Sequence, residues 1–357
     1  MCPYLESPKY SISTGSNRQP FWAVLLAGGD GTRLQSLTLK IAGDSRPKQF
    51  CRLVGGQSLL IQTEERLEPL FRRDRTLFVV TRDHERYYHE DLGRADPSRI
   101  IVQPQNRGTG VAIATALFRI LQREANPFVA FFPCDHYYSN DDAFVSTIGS
   151  AMACAQEYPK SIILLGAEAH YAEIEYGWIE PGFAIQVSGA RQLLRVNRFW
   201  GKPSLRKARA LMSGGCLWNT FVTVGRASTF LELLRSQIPD VMLDIAAGVS
   251  RDDLDGAYRG VRPTDFSREV LTLLPHRLLA VRDVESGWAD LGNPARVVDT
   301  LVRNRIEPAW LSEMQAMKQK SSGNTQSEDR SVSQVLGHPI RDLTEKDNSH
   351  DEQCRFE

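Results

Sequence analysis

The chain has 357 residues, 42% of them hydrophobic and 24% charged, which suits a folded protein of two domains or one large α/β domain. Forty-three basic residues balance forty-three acidic ones, which excludes a global field for drawing in nucleic acid or an anionic membrane. Any phosphate ligand must therefore be held by local groups.

Residues 1–20 are polar, carry Pro3, Pro8 and Pro20 and contain no apolar signal-peptide core, so a flexible arm is expected there. Residues 23–27 form a continuous apolar run, the pattern of a strand buried on both faces. Ser58 is placed to cap a helix reaching Leu70, with Leu60, Ile61, Leu67 and Leu70 on its inner side. Further strands are predicted at 77–81, 100–103, 128–132 and 162–166, with helices at 110–124 and 143–156 between them. This alternation predicts a parallel sheet covered on both faces. Residues 176–200 are strand-rich with turn signals at Pro181-Gly182 and Ser188-Gly189, which predicts an antiparallel insertion over the sheet. A helix from Ser204, a strand near 219–224 and a helix from Ala227 follow. No internal repeat or hexapeptide β-helix pattern occurs, and from about residue 312 to 357 the chain has the polar composition of a disordered tail. The six cysteines (Cys2, Cys51, Cys134, Cys154, Cys216, Cys354) form no C-x-x-C pair and no zinc-like spacing. With no apolar run of bilayer-spanning length, free thiols in a cytoplasmic protein are expected, with no membrane or nucleic-acid partner.

The run Leu26-Ala27-Gly28-Gly29-Asp30-Gly31-Thr32-Arg33-Leu34 follows the first strand directly. Three glycines in four positions let backbone N–H groups approach an anion that side chains would block. A dinucleotide fingerprint starting at Gly29 would need glycine where Leu34 stands, and no G-x-x-x-x-G-K-[ST] run is present. Arg33 and the later Arg46-Pro47-Lys48-Gln49 add the cations that a triphosphate requires, which favours a ligand-holding loop over a plain turn.

The order L-A-G-G-x-G-T-R-L then R-P-K-Q-F resembles the sugar-1-phosphate nucleotidyltransferases, the nearest pattern being that of the mannose-1-phosphate guanylyltransferases (GDP-mannose pyrophosphorylases). Four groups of later blocks are similar to the family's in order and type: Gln103 to Gly110, Phe132 to His136, Tyr176 to Glu180 with Leu217 to Thr220, and Gly287 to Gly292. The resemblance covers about residues 21–305 and implies an α/β fold: a Rossmann-like, mostly parallel sheet with helices on both faces and an antiparallel sugar-binding insertion at about 170–225, within a nucleotidyltransferase domain spanning 21–311. It implies attack of a sugar 1-phosphate, mannose 1-phosphate in the nearest relatives, on the α-phosphorus of GTP, giving GDP-mannose and pyrophosphate. Arg33, Lys48 and Lys202 are then the catalytic cations, Arg33 on the leaving pyrophosphate, Lys48 on the α-phosphate and Lys202 on the sugar phosphate. Leu26, Ala27, Gly28, Gly29, Gly31 and Thr32, with Gln103, Gly108 and Thr109 near the base, would bind nucleotide. Gly177, Glu180 and Asn219 would bind the sugar, and Asp135 and Asp290 would hold Mg²⁺. Trp178 and Trp218 are assigned to core or pocket wall and His136 to a structural role.

Three departures from the family pattern stand out. Gly201 replaces the glutamate of the E-K-P block, Gly110 replaces an alanine, and residues 35–45 lengthen the segment before Arg46. The first removes an acceptor for sugar hydroxyls and leaves open another sugar 1-phosphate or base, or a weakly catalytic nucleotide-sugar-binding regulator. A homo-oligomer is compatible with the sequence.

Overall fold

The computed structural model describes residues 21–187 and 192–312. The expected arm, most of the expected tail and the Ser188-Gly189 turn lie outside the described residues. Strands and helices alternate through the first half: β1 (Phe21–Leu26), α1 (Gln35–Ala42), α2 (Leu59–Leu67), β2 (Thr76–Thr81) and α3 (Glu85–Leu92). Then come β3 (Ile100–Gln103), α4 (Thr109–Leu121), β4 (Phe128–Pro133), β5 (His136–Tyr137) and α5 (Asp141–Glu157). The second half has β6 (Ile162–Glu168), β7 (Trp178–Ile185), β8 (Leu193–Trp200), α6 (Leu205–Ser213), β9 (Leu217–Arg226) and α7 (Ala227–Gln237). It ends with α8 (Pro239–Arg251), α9 (Leu254–Gly260), α10 (Phe266–Glu269), β10 (Leu278–Asp283), β11 (Ala289–Asp290) and α11 (Pro294–Asn304). Among the described residues no helix is long and apolar enough to cross a membrane.

The main sheet has the order β3-β2-β1-β4-β9-β6-β10-β8-β7. β1 runs parallel to β2 and β4, β2 to β3, and β10 to β6, while β9 is antiparallel between β4 and β6. Parallel neighbours need crossover connections, and these place helices on both faces. Successive β1 side chains therefore enter two different cores: Trp22 and Val24 pack with residues of α4, α7 and α8, and Phe21, Ala23 and Leu25 with residues of α2, α3 and α5. A strand in that position has no polar face to present, which is why residues 23–27 are uniformly apolar.

Three expectations need correction. Strands β7 and β8 do not lie over the sheet; they extend it, β8 pairing with β10 and the start of β7 with β9. Pro181-Gly182 is no turn but an irregularity inside β7, where the register against β8 shifts. Proline has no N–H for a ladder and is accepted at such an edge. Ser58 does accept from the Ile61 N–H at 3.2 Å as a cap, but α2 ends at Leu67. Cys51, Cys134, Cys154 and Cys216 are buried free thiols.

Candidate active site

The carboxyl ends of β1, β2, β3 and β4 meet along one sheet edge, where open α/β sheets bind ligands. The glycine-rich loop leaves β1 there. Gln49 Nε2 donates to the carbonyls of Ala27 (2.9 Å) and Gly29 (2.7 Å), and Thr81 Oγ1 donates to that of Gly28 (3.0 Å). The peptide bonds of this loop are trans, so each fixed carbonyl directs the following N–H the opposite way: those of Gly28 and Asp30 away from Gln49, and that of Gly29 away from Thr81. Gly31 has φ 61°, and a Cβ there would sit 3.0 Å from the Lys48 backbone nitrogen, so the loop packs directly on Pro47 and Lys48. Thr32–Leu34 follows as a single tight turn, and residues 35–42, part of the lengthened segment, form α1. Leu34 and Leu37 bind this region to Leu291, Val297 and Leu301 of the C-terminal end.

Asp135 and Asp290 are 155 positions apart in sequence. They are brought together by a two-stranded ladder in which β5 pairs antiparallel with β11, His136 opposite Asp290. Lys48 fills the gap between them. Its buried ammonium lies 3.2 Å from Asp135 Oδ2 and 3.0 Å from Asp290 Oδ1, and donates to the Leu291 carbonyl at 3.1 Å. Burial works against the Lys48 charge, yet Asp135 and Asp290 outweigh it and hold its pKa above the ordinary value. Burial likewise opposes charge on Asp290, but Lys48 and Arg296 help pull its pKa down to about 2. The His136 side chain is only 11% exposed, and this partial burial lowers its pKa. Its Nδ1 accepts from the Trp288 indole at 3.1 Å, as a neutral structural imidazole would.

Arg33 Nη1 lies 3.3 Å from Glu175 Oε2, with its side chain 53% exposed. Surface pairs of this kind are worth about 0–1 kcal/mol, so an arriving polyphosphate can compete for the guanidinium. Arg46, by contrast, is committed to Asp44 and Glu90 and serves the scaffold.

Beside the loop opens a cavity of about 490 Å³ lined by Leu26, Gly28, Gly29, Gln103, Gly108, Thr109 and Asp135, with Pro263 to Asp265 on the far wall. Gly108 has φ 83° and ψ 173°, a region open essentially to glycine, and a Cβ there would lie 2.5 Å from the Thr264 carbonyl oxygen. That carbonyl accepts from the Gly110 N–H at 2.9 Å, and Phe266 N donates to Thr109 Oγ1 at 3.0 Å. The Gly110 departure has a local counterpart, since an added methyl would meet Thr264 Cγ2 at 2.7 Å. Gly108→Ala is expected to cost about 2–3 kcal/mol and to weaken nucleotide binding at least tenfold, checked by urea unfolding and by titration.

Of the expected sugar residues, Gly177 immediately precedes β7, Glu180 lies on β7 and Asn219 near the start of β9; Lys202 is in the loop after β8. Asn219 N donates to the Gly177 carbonyl at 2.9 Å, its Oδ1 accepts from Phe221 N, and Glu180 accepts from the Trp200 indole at 2.8 Å. Lys202 is exposed, and Gly177, Glu180, Asn219 and Lys202 do not line the 490 Å³ cavity. Ala27 is buried behind the loop, and Gly31, Thr32 and Arg33 stand outside the cavity wall. Trp178 and Trp218 are buried, as expected of core or wall.

The family model for nucleotidyl transferases matches residues 22–303, four-fifths of the chain. This chain belongs to the nucleotidyl transferase family. Among its relatives, the xanthan biosynthesis protein XanB of Xanthomonas campestris is 29% identical over 290 residues, 77% of this chain and 58% of that protein. Mannose-1-phosphate guanylyltransferase 2 of Escherichia coli O157:H7 is 29% identical over 302 residues, 80% of this chain and 61% of that protein. The chain thus spans about three-fifths of the length of these relatives. A solved structure from Thermus thermophilus, described as a mannose-1-phosphate geranyltransferase, superposes with TM-score 0.69 at 28% identity, covering 81% of this chain and 80% of the other.

In this member of the nucleotidyl transferase family several residues that no sequence motif marks surround the site. Arg296 of α11 donates to Asp290 Oδ2 (3.2 Å) and Glu175 Oε2 (2.7 Å), and pairs with Glu173 (2.8 Å). Thr264 lines the cavity and Tyr258 lies buried behind Gln103, both from a segment some 150 positions beyond the Gln103 to Gly110 block. Gln49 stands out in the sequence only as part of a motif, yet it orients the loop. No local pattern marks Arg296 or Tyr258; each is defined by a partner distant in sequence.

Proposed function

We propose that this chain is a guanylyltransferase-type enzyme that joins GTP to mannose 1-phosphate, giving GDP-mannose and pyrophosphate. The observation that carries the reading is the Lys48 ammonium held between Asp135 and Asp290, next to the glycine-rich loop and a nucleotide-sized cavity. A sugar-phosphate oxygen attacks the α-phosphorus while the bond to the β-phosphate oxygen breaks in line. Such transfer depends on alignment and charge neutralisation and needs no covalent enzyme intermediate. The loop N–H groups orient the triphosphate, Lys48 offsets charge on the α-phosphate, and Arg33 exchanges Glu175 for the departing pyrophosphate. The attacking phosphate is already ionised near neutral pH, so the neutral His136 has no proton to remove.

Asp135 and Asp290 fit a hard divalent cation, being two carboxylates that converge on a single positive charge. Mg²⁺ is bound through one or two carboxylates while it keeps waters and shares substrate phosphates, which is what two carboxylates beside a phosphate loop can offer. Bound there, Mg²⁺ would neutralise phosphate charge. The test is pyrophosphate release with each triphosphate paired with several sugar 1-phosphates, with and without Mg²⁺. GTP with mannose 1-phosphate and Mg²⁺ is expected to turn over fastest; tight nucleotide binding with no turnover for any pair would sink the reading.

Gly201 offers a second check. A Cβ there meets nothing within 4 Å, so a side chain can be added without disturbing the fold. Gly201→Glu is expected to lower KM for sugar 1-phosphate several-fold at unchanged stability. If KM and kcat both stay put, the sugar hydroxyls are held by other groups.

A further inference from the structure

Behind the cavity runs a buried chain of hydrogen-bonding groups. Gln103, Tyr258 and Thr115 are each at most 2% exposed. The Tyr258 hydroxyl lies 3.1 Å from the Gln103 amide and 2.8 Å from Thr115 Oγ1, which in turn lies 2.9 Å from the Val111 carbonyl oxygen. The other end of the Gln103 amide faces Gly28, 2.6 Å from where a Cβ would be, and both residues line the cavity.

The oxygen and nitrogen ends of a glutamine amide have the same shape, so the surrounding network decides which lies where. With the oxygen toward Tyr258, two hydroxyl protons must serve three oxygen–oxygen contacts, and one buried contact carries no proton. With the nitrogen toward Tyr258, the amide donates to Tyr258, Tyr258 to Thr115, and Thr115 to the Val111 carbonyl, so each contact carries one proton. Buried polar groups favour the fully satisfied arrangement. Burial also raises the pKa of Tyr258, so the phenol keeps its proton.

We propose that Tyr258 and Thr115 are positioning residues for base selection: they turn the carbonyl oxygen of Gln103 toward the base, where it accepts from the N1–H and N2–H₂ edge of guanine. Adenine presents a lone pair at N1, where guanine presents a hydrogen, so the same carbonyl disfavours it. This inference rests on the reading of the cavity as a nucleotide site.

The two hydroxyls make different predictions. In Tyr258→Phe the amide loses its anchor and can turn either way, so the GTP-over-ATP affinity ratio falls about tenfold. In Thr115→Val, Tyr258 keeps a proton but loses its acceptor. It then donates to Gln103, turning the amide NH₂ toward the base, and the ratio falls further, on the order of a hundredfold. Thr115→Ser restores the hydroxyl and the wild-type ratio. In all three, kcat at saturating nucleotide stays within a few-fold, because no group in contact with the reacting phosphates is touched.

The experiment is equilibrium titration of the full chain and these variants with GTP and with ATP, alongside kcat and KM for each. The expected result is the graded order wild type, Tyr258→Phe, Thr115→Val, with rescue by serine. A wild-type protein that discriminates while Tyr258→Phe and Thr115→Val keep its ratio, or weaken both nucleotides equally, overturns the inference and leaves the nucleotide reading standing. A wild-type protein that binds neither nucleotide overturns both.

Discussion

Lys48→Met is expected to lower turnover by on the order of 10³ and to destabilise the fold by about 3 kcal/mol at neutral pH. The first effect follows from the proposed function, which assigns Lys48 to the α-phosphate. The second follows from what remains: Asp135 and Asp290, which both lose the one buried ammonium they shared. Removing one partner of a buried pair usually costs about 3–5 kcal/mol, and the low end applies because Arg296 still pairs with Asp290. The loss has a pH signature. In the wild type, Asp290 is held at about 2 against an ordinary 3.8, so its contribution is present above about pH 4 and fades as pH falls toward 2. In the variant, burial persists while the Lys48 attraction is gone, so the Asp290 pKa climbs and protonation relieves the folded state. The stability deficit should therefore shrink as pH falls from about 7 to about 4. Urea unfolding of both proteins across that range, with chelator present, checks this; a deficit that does not vary with pH would contradict the account.

Asp290→Asn separates catalysis from folding. Asparagine keeps the shape, Lys48 retains Asp135, and Arg296 retains Glu173 and Glu175. Stability is expected to fall by only about 1 kcal/mol, while turnover falls at least 100-fold and requires more Mg²⁺. Near-wild-type turnover at low Mg²⁺ would show that the ion is held by other groups.

Much of this architecture was legible in the sequence. Residues 23–27 announce a strand covered on both faces because every side chain there is apolar, and in the following loop Gly31 permits close packing on Pro47 and Lys48 while Gly28 permits it on Gln103 and Thr81. Asp135 and Asp290 were nameable as a pair only through family resemblance, because a two-residue ladder between β5 and β11 is too short to leave a pattern. The place of β7 and β8 in the sheet was hidden for a related reason. Hydrogen bonds to β10 and β9 depend on strands far along the chain, and Pro181-Gly182 carries the composition of a turn while occupying a bulge. Arg296, Tyr258 and Thr264 were invisible because a lone arginine, tyrosine or threonine acquires its role from what it meets.

The central claim is transfer of a nucleotidyl group to a sugar phosphate by attack at the α-phosphorus. Mannose 1-phosphate carrying ¹⁸O in its non-bridging phosphate oxygens, incubated with GTP, Mg²⁺ and the protein, tests it by mass spectrometry of the products. All of the label is expected in the nucleotide sugar and none in the pyrophosphate. Label in the pyrophosphate, or GDP and phosphate formed without any nucleotide sugar, would contradict it.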